Sequence, residues 1–137
     1  MEITSLNSIV GVILMEAMSS HVSNVVGTHV LINVYDVPEQ DTASLIHLEA
    51  GRPLLDEIVK ALDFHVVAET GHQFSPIGYS YAYVLSESHF TIHTYPEYHS
   101  CYIDMFCCNP LFDAEKAVSL VKHAFHTDNV QHKVVRR

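Results

Sequence analysis

The most regular feature of the chain is a series of short runs rich in apolar and β-branched residues. Such runs, bounded by Gly, Pro, Asp and Asn, are typical of strands. Turns are expected at Gly71, Ser75-Pro76, Gly78 and Pro96. The predicted strands are residues 28–35, 65–69, 79–85, 89–95, 101–106 and 130–135.

Two other stretches carry apolar residues at the spacing of three and four that places them on one side of a helix. The first follows the first strand and runs to about Leu62, with an interruption near Gly51, because Pro53 suits the first turn of a helix. The second runs from about Asp113, which is placed to cap it, to Phe125. The predicted apolar stripes are Leu54, Leu55, Ile58, Val59 and Leu62 in the first helix, and Ala114, Ala117, Val118, Val121 and Phe125 in the second.

The element order β-α-β-β-β-β-α-β indicates an α+β fold, a two-layer sandwich of a mainly antiparallel sheet with two helices on one face. A sheet with one uncovered face often pairs with a second copy, so we expect a dimer. Residues 1–26 show no clear period and are interpreted as an N-terminal extension of unknown role. The domain proper is assigned to residues 27–137.

Composition narrows the classes of partner. The chain has 137 residues, 48% of them apolar, which is enough for a single core. Its net charge of −9 argues against nucleic acid and anionic membranes as partners and is compatible with a small cationic ligand. Three cysteines do not make a disulfide framework, and no apolar stretch near the start is long enough to span a bilayer. We therefore expect a cytoplasmic protein.

The densest group of reactive side chains lies between Ser86 and Cys108. His89 and His93 have the spacing of metal ligands on a helix, but the segment is predicted to be a strand. Four residues along a strand separate side chains by about 13 Å, so one ion cannot bind both. A metal site assembled across strands stays open. A Ser/His or Cys/His hydrolase also stays open, although no G-x-S-x-G motif is present.

A longer string in the same region resembles one protein family. The string from Leu85 to Tyr98 (LSESHFTIHTYPEY) and the segment Ile103–Cys108 (IDMFCC) closely resemble the core of the short prokaryotic-type S-adenosylmethionine decarboxylases. The resemblance spans about residues 27–135. It also takes in Gly27-Thr-His29, Phe74, Pro76, Gly78, Ser80 and Asn109-Pro110.

The resemblance implies a proenzyme that cuts itself between Glu87 and Ser88 into a β chain, residues 1–87, and an α chain, residues 88–137. Ser88 would become a pyruvoyl group, the only cofactor implied, with no metal. The serine that supports the oxyanion during processing matches Ser80, and the processing base matches His93. An imidazole suits that role near neutral pH.

The resemblance also implies roles in decarboxylation. The group derived from Ser88 would form a Schiff base with S-adenosylmethionine and act as the electron sink. The proton donor matches Cys108, and Glu97 matches a carboxylate that accepts from the ribose hydroxyls. Phe74 and Tyr95 are candidates for stacking on adenine and facing the sulfonium. The product would donate aminopropyl groups for spermidine.

Three departures from the family pattern leave alternatives open. Asn33 stands where an acidic residue is more common, Thr28 where arginine is common, and Tyr95 where tryptophan is frequent. A pyruvoyl-dependent arginine or ornithine decarboxylase is therefore an alternative. An inactive regulatory paralogue is a second one, although the matched processing residues are all present.

Overall fold

A computed structural model describes residues 24–137, and within them the six predicted strands are all present. Two short 3₁₀ turns, Glu39–Asp41 and Pro96–Tyr98, lie between the regular elements. The elements are β1 Thr28–Val34, α1 Ala43–Ile46, α2 Leu48–Ala61, β2 Val66–Gln73, β3 Tyr79–Leu85, β4 Ser88–Tyr95, β5 Ser100–Cys107, α3 Ala114–Phe125 and β6 Val130–Arg136. No helix in this part of the chain is long and apolar enough to cross a membrane.

The six strands form one antiparallel sheet in the order β2-β3-β4-β5-β1-β6. The three helices pack on one face of it: α1 contacts β4, α2 contacts β3, and α3 contacts β1 and β6. The prediction of an α+β sandwich with an antiparallel sheet is therefore confirmed. The first predicted helix is divided into α1 and α2.

Alternation along the strands separates a buried face from an open face of the sheet. The buried face meets the helices through side chains such as Ile32, Tyr83, Phe90 and Ile103, all at most 1% exposed. No helix of residues 24–137 lies over the open face. This face carries Leu31, Val84, Tyr95 and Tyr102, which are 36–47% exposed, beside the polar side chains His29, Ser80, His89, Thr91, His93 and Asp104.

The predicted interruption near Gly51 is wrong, because α2 runs unbroken through Pro53. The break lies earlier, at His47, whose backbone is extended with φ −117° and ψ 124°. The side chain of Gln73 bonds both sides of this break, accepting from the Leu48 N–H at 2.7 Å and donating to the Ile46 carbonyl at 2.8 Å. Side-chain bonds from β2 therefore replace helix bonds here, which no local pattern indicates.

Strand β2 continues to Gln73, so the predicted end at Glu69 and the predicted turn at Gly71 are also wrong. Gly71 pairs with Tyr81, and a Cβ placed on Gly71 would lie 2.1 Å from the Tyr81 ring. Only glycine fits at this position, because the Tyr81 ring occupies the space that a side chain would need. It marks a close approach within the sheet and not a turn.

The predicted cap of the last helix is confirmed, and it gives a stability test. The Asp113 carboxylate accepts from the backbone N–H groups of Glu115 at 3.0 Å and Lys116 at 3.2 Å. We expect Asp113→Ala to lower the free energy of unfolding by about 1 kcal/mol, since those two donors lose their partner. Urea unfolding followed by circular dichroism measures this change.

Asp113→Asn is the matched control, because asparagine caps about as well as aspartate. It should unfold within a few tenths of a kcal/mol of the natural chain. Equal losses in the two variants would contradict a capping role.

Candidate active site

A two-residue turn, Ser86-Glu87, joins β3 to β4 and presents the peptide bond before Ser88. Leu85 and Ser88 pair across the turn, and the Ser86 N–H donates to the His65 carbonyl at 3.1 Å. Glu87 has φ +60°, a left-handed conformation that costs a residue with a side chain roughly 1–2 kcal/mol. The peptide bond predicted to be cut therefore follows a strained residue.

Cys108 contacts both residues of that peptide bond. Its Sγ donates to the Glu87 carbonyl oxygen at 3.0 Å, and its backbone N–H donates to Ser88 Oγ at 3.1 Å. Cys108 follows β5 directly, and the β4–β5 register pairs His89 with Phe106. The register therefore brings the cysteine to the first residue of β4. A thiol on the carbonyl oxygen polarises the carbon that a nucleophile would attack.

A cavity of about 340 Å³ opens beside Ser88, within the size range of small-molecule sites. It lies between the turn after α2 and the segment before α3. Its lining includes Phe64, His65, Asn109 and Lys116. Ser88 therefore borders a partly open cavity on the helix side of the sheet as well as the turn.

Ser80 and His93 form a second group, on the open face. They are paired in the β3–β4 register, and Ser80 Oγ lies 2.6 Å from His93 Nδ1. A separate cavity of about 300 Å³ includes both side chains together with Thr70 and Thr91. A hydroxyl bonded to an imidazole can exchange a proton with it, so this pair is suited to acid–base work.

The three predicted substrate contacts lie at the same end of the sheet as Ser80 and His93. Phe74 follows β2, is 46% exposed, and its ring centroid lies 4.9 Å from that of His72. Tyr95 ends β4 and is 41% exposed. Glu97 lies in the 3₁₀ turn after it and is exposed.

The predicted site residues are thus divided between two ends of the sheet. Ser88, Glu87 and Cys108 lie at one end, whereas Ser80 and His93 lie toward the other. Ser88 and His93 are both on β4 and five residues apart. A strand rises about 3.3 Å per residue, which places them about 16 Å apart. One copy of the chain does not bring the predicted base to the predicted nucleophile.

A third group includes residues to which the sequence assigned no role. His29, His89 and Asp104 lie on the adjacent strands β1, β4 and β5, and His29 Nε2 is hydrogen-bonded to Asp104 Oδ1. Burial, and to a lesser extent His29, lower the pKa of His89. The available signal was Asp104 itself, an acidic residue within an otherwise apolar strand.

Comparisons with known proteins bear on these arrangements. A family model described as S-adenosylmethionine decarboxylase matches residues 28–137. The S-adenosylmethionine decarboxylase proenzyme of Clostridium botulinum (strain Langeland / NCTC 10281 / Type F) is 40% identical over 84 residues, which are 61% of this chain and 72% of that protein. The proenzyme of the same name from Archaeoglobus fulgidus is 32% identical over 113 residues, which are 82% of this chain and 98% of that protein.

Solved structures agree on the fold. The adenosylmethionine decarboxylase of Aquifex aeolicus VF5 superposes with a TM-score of 0.74 at 25% identity, over 84% of this chain and 92% of that one. A Trypanosoma brucei AdoMetDC monomer shares the fold over 78% of this chain, with a TM-score of 0.62 at 18% identity. Because the family model covers residues 28–137 and the archaeal relative aligns over nearly its whole length, this chain belongs to the S-adenosylmethionine decarboxylase family.

Proposed function

We propose that this protein is a self-cleaving proenzyme that decarboxylates S-adenosylmethionine and so supplies the aminopropyl donor for spermidine. The observation that carries the proposal is the contact of Cys108 with both sides of the Glu87–Ser88 bond, in a chain of this family. Cleavage there would leave residues 1–87 and 88–137 folded as one domain, with residues 1–26 as an N-terminal extension.

Cleavage begins with Ser88 Oγ attacking the Glu87 carbonyl carbon. The Glu87–Ser88 C–N bond breaks, the hydroxyl proton passes to the departing nitrogen, and an ester with a free Ser88 amine forms. The Cys108 thiol, which donates to the Glu87 oxygen, stabilises the negative charge that develops there. Ser80, to which the resemblance assigns this support, lies beside His93 and could reach the oxyanion only from a second copy. A base then removes the α-proton of Ser88, and the Glu87 carboxylate leaves. Water hydrolyses the remaining enamine and releases ammonia.

The group left at position 88, a pyruvoyl, supplies an electron sink for loss of CO₂ when substrate is bound. The surroundings of Ser88 fit that group, since the Cys108 thiol and the Cys108 backbone N–H both lie at the same turn as possible hydrogen-bond donors. Cys108 holds the proton that is returned to the substrate carbon. Its Sγ already points at the bond that is cut, so no large movement is needed between the two tasks.

A second copy of the chain completes the site in this proposal. The base that removes the Ser88 α-proton is His93, held by Ser80, yet within one copy it lies about 16 Å along β4 from Ser88. A two-fold axis that lies in the plane of the interface and runs across the strands would lay β4 of one copy antiparallel to β4 of the other. Each Ser88 end would then meet a His93 end, and a closed symmetric dimer would contain two complete sites.

The open face has the character of such an interface. Leu31, Val84, Tyr95 and Tyr102 are 36–47% exposed, on a face that no helix of the described part of the chain covers. Burying them against the same residues of a second copy would remove apolar surface from water. We therefore propose a homodimer as the working form.

The same pairing accounts for the substrate contacts. Phe74, Tyr95 and Glu97 lie at the His93 end of the sheet, so a second copy would bring them to Ser88 of the first. An aromatic face attracts a sulfonium cation, and a carboxylate accepts from ribose hydroxyls. The net charge of −9 favours a cationic substrate over an anionic one.

We also propose a cytoplasmic location. All three cysteines, Cys101, Cys107 and Cys108, are free, which suits a reducing compartment. A free thiol at Cys108 is also what the proposed proton donor requires.

A panel of three substrates tests the proposed activity. Purified, fully cleaved protein is supplied separately with S-adenosylmethionine, arginine and ornithine, each labelled with ¹⁴C at the carboxyl carbon. We expect release of CO₂ from S-adenosylmethionine at a kcat/KM at least about 100-fold above that for the other two, because only that substrate presents a ribose and a sulfonium to the proposed contacts. The uncleaved Ser88→Ala chain gives the blank.

Release from arginine or ornithine alone would keep the self-cleavage but overturn the substrate assignment. No release from any of the three, by protein shown to be cleaved, would overturn the decarboxylase proposal itself.

A further inference from the structure

His29, His89 and Asp104, here called the His–Asp cluster, converge on the open face of the sheet from three neighbouring strands. One nitrogen from each imidazole and one carboxylate oxygen all lie within 4.8 Å of one another. No other His, Cys, Asp or Glu group with this geometry occurs among residues 24–137. The proposed decarboxylation assigns none of the three a task.

We infer that the His–Asp cluster binds one divalent cation of the zinc class. Two imidazoles and one carboxylate suit Zn²⁺, Co²⁺ and Ni²⁺, whereas Mg²⁺ and Ca²⁺ prefer sites made of oxygen ligands. Three protein ligands leave a fourth position on the open face, which in the proposed dimer is turned toward the second copy. That position can accept water or a polar atom of a ligand.

The scaffold of the cluster is suited to hold three ligands in place. The rings of His29 and His89 meet edge to face with their centroids 5.9 Å apart. Both also pack against Phe106, at 6.1 and 6.0 Å between centroids. Phe106 is paired with both histidines in the sheet register, so the spacing of the imidazoles is set by backbone hydrogen bonds.

Binding requires only small movements. Zinc ligands at 2.0–2.1 Å in a tetrahedron lie about 3.4 Å from one another, so the most distant pair, within 4.8 Å, closes by at most about 1.4 Å. The hydrogen bond between His29 and Asp104 opens as the ion enters, and the neutral imidazole then carries its single proton on Nδ1. Both freed atoms then bind the ion, so neither is left without a partner.

One neighbouring charge opposes the ion. The guanidinium of Arg137 lies 5.3 Å from the centroid of the Phe106 ring, next to the cluster. A positive charge there repels a divalent cation. We therefore expect Arg137→Gln to tighten binding a few-fold, an effect that a non-specific histidine site elsewhere would not show.

Equilibrium binding tests the inference. The full-length chain without an affinity tag is freed of metal with chelator, then titrated with Zn²⁺ by calorimetry and with Co²⁺ by absorption spectroscopy. We expect one strong site per chain and no binding of Mg²⁺. His89→Gln and Asp104→Asn should each weaken Zn²⁺ binding by at least about 100-fold, since even outer-shell partners of a metal site are worth 10–100-fold.

The matched control is His123→Gln. His123 lies on α3 with its ring centroid 6.3 Å from that of His126. The variant therefore removes an imidazole from another histidine pair and leaves the His–Asp cluster intact. Thermal unfolding of every variant establishes that it is folded. If His89→Gln does not fold, Asp104→Asn and Arg137→Gln still test the site.

Two outcomes would overturn the inference. One is that the natural chain binds no Zn²⁺ in the micromolar range. The other is that Asp104→Asn keeps both the affinity and the Co²⁺ spectrum of the natural chain. All three ligands belong to one copy, and the readout is binding, so the result does not depend on self-cleavage or on decarboxylase activity.

Discussion

Ser88→Ala should leave the protein as a single chain of 15.4 kDa, whereas the natural protein should resolve into residues 1–87 and 88–137. Without the hydroxyl at position 88 there is no nucleophile for the Glu87 carbonyl, so neither the ester nor the pyruvoyl group can form. Decarboxylation should fall to background, because no electron sink remains. Intact mass spectrometry after extended incubation measures the cleavage, and CO₂ release measures the activity.

Ser86→Ala is the matched control for this prediction. Ser86 lies in the same turn, two residues earlier, and is exposed, so its loss changes the turn as little as the chain allows. This variant should still cut itself and retain activity. Cleavage of Ser88→Ala, or an uncut Ser86→Ala chain that is folded, would contradict the assignment of the nucleophile.

Co-expression of two inactive variants should restore cleavage. His93→Ala alone should stall, because it lacks the base for the elimination step, and Ser88→Ala alone cannot begin. In a mixed dimer, Ser88 of the His93→Ala chain faces the intact His93 of the Ser88→Ala chain. With random pairing, about half of the His93→Ala chains sit in mixed dimers and should be cut. Two tags of different mass identify the cleaved chain by mass spectrometry.

The control for this experiment replaces the partner with a Ser88→Ala/His93→Ala chain, which can form mixed dimers but brings no base. No rescue is expected from it. The shared site would be refuted if recovered mixed dimers remained uncut, or if His93→Ala alone cut itself at the natural rate.

The elements that could be predicted from the sequence are those whose stabilising interactions lie between residues close together in the chain. Strand β3 was predicted at its observed bounds because its residues are apolar and β-favouring and turns flank it. The Asp113 cap was predicted because a carboxylate can reach backbone donors two and three residues on. The helix break at His47 was not predicted, because Gln73, distant in sequence, bonds the backbone there.

For the site, too, the sequence indicated the residues, and the structure gave the distances between them. The resemblance pointed to Ser88, Cys108, Ser80 and His93, but a list of residues carries no distances between them. The His–Asp cluster on the open face exists because β4, β5 and β1 are neighbours in the sheet. Only that order brings His29 and Asp104 into contact, 75 residues apart in sequence.

By itself the sequence determined most of the local elements, the turn before Ser88 and the family that the predicted site residues indicate. The tertiary structure alone decided which of those residues meet. Ser88 and Cys108 are 20 residues apart and in contact, because antiparallel pairing returns β5 to the start of β4. Ser88 and His93 are five residues apart and do not meet, because an extended strand holds them about 16 Å from each other.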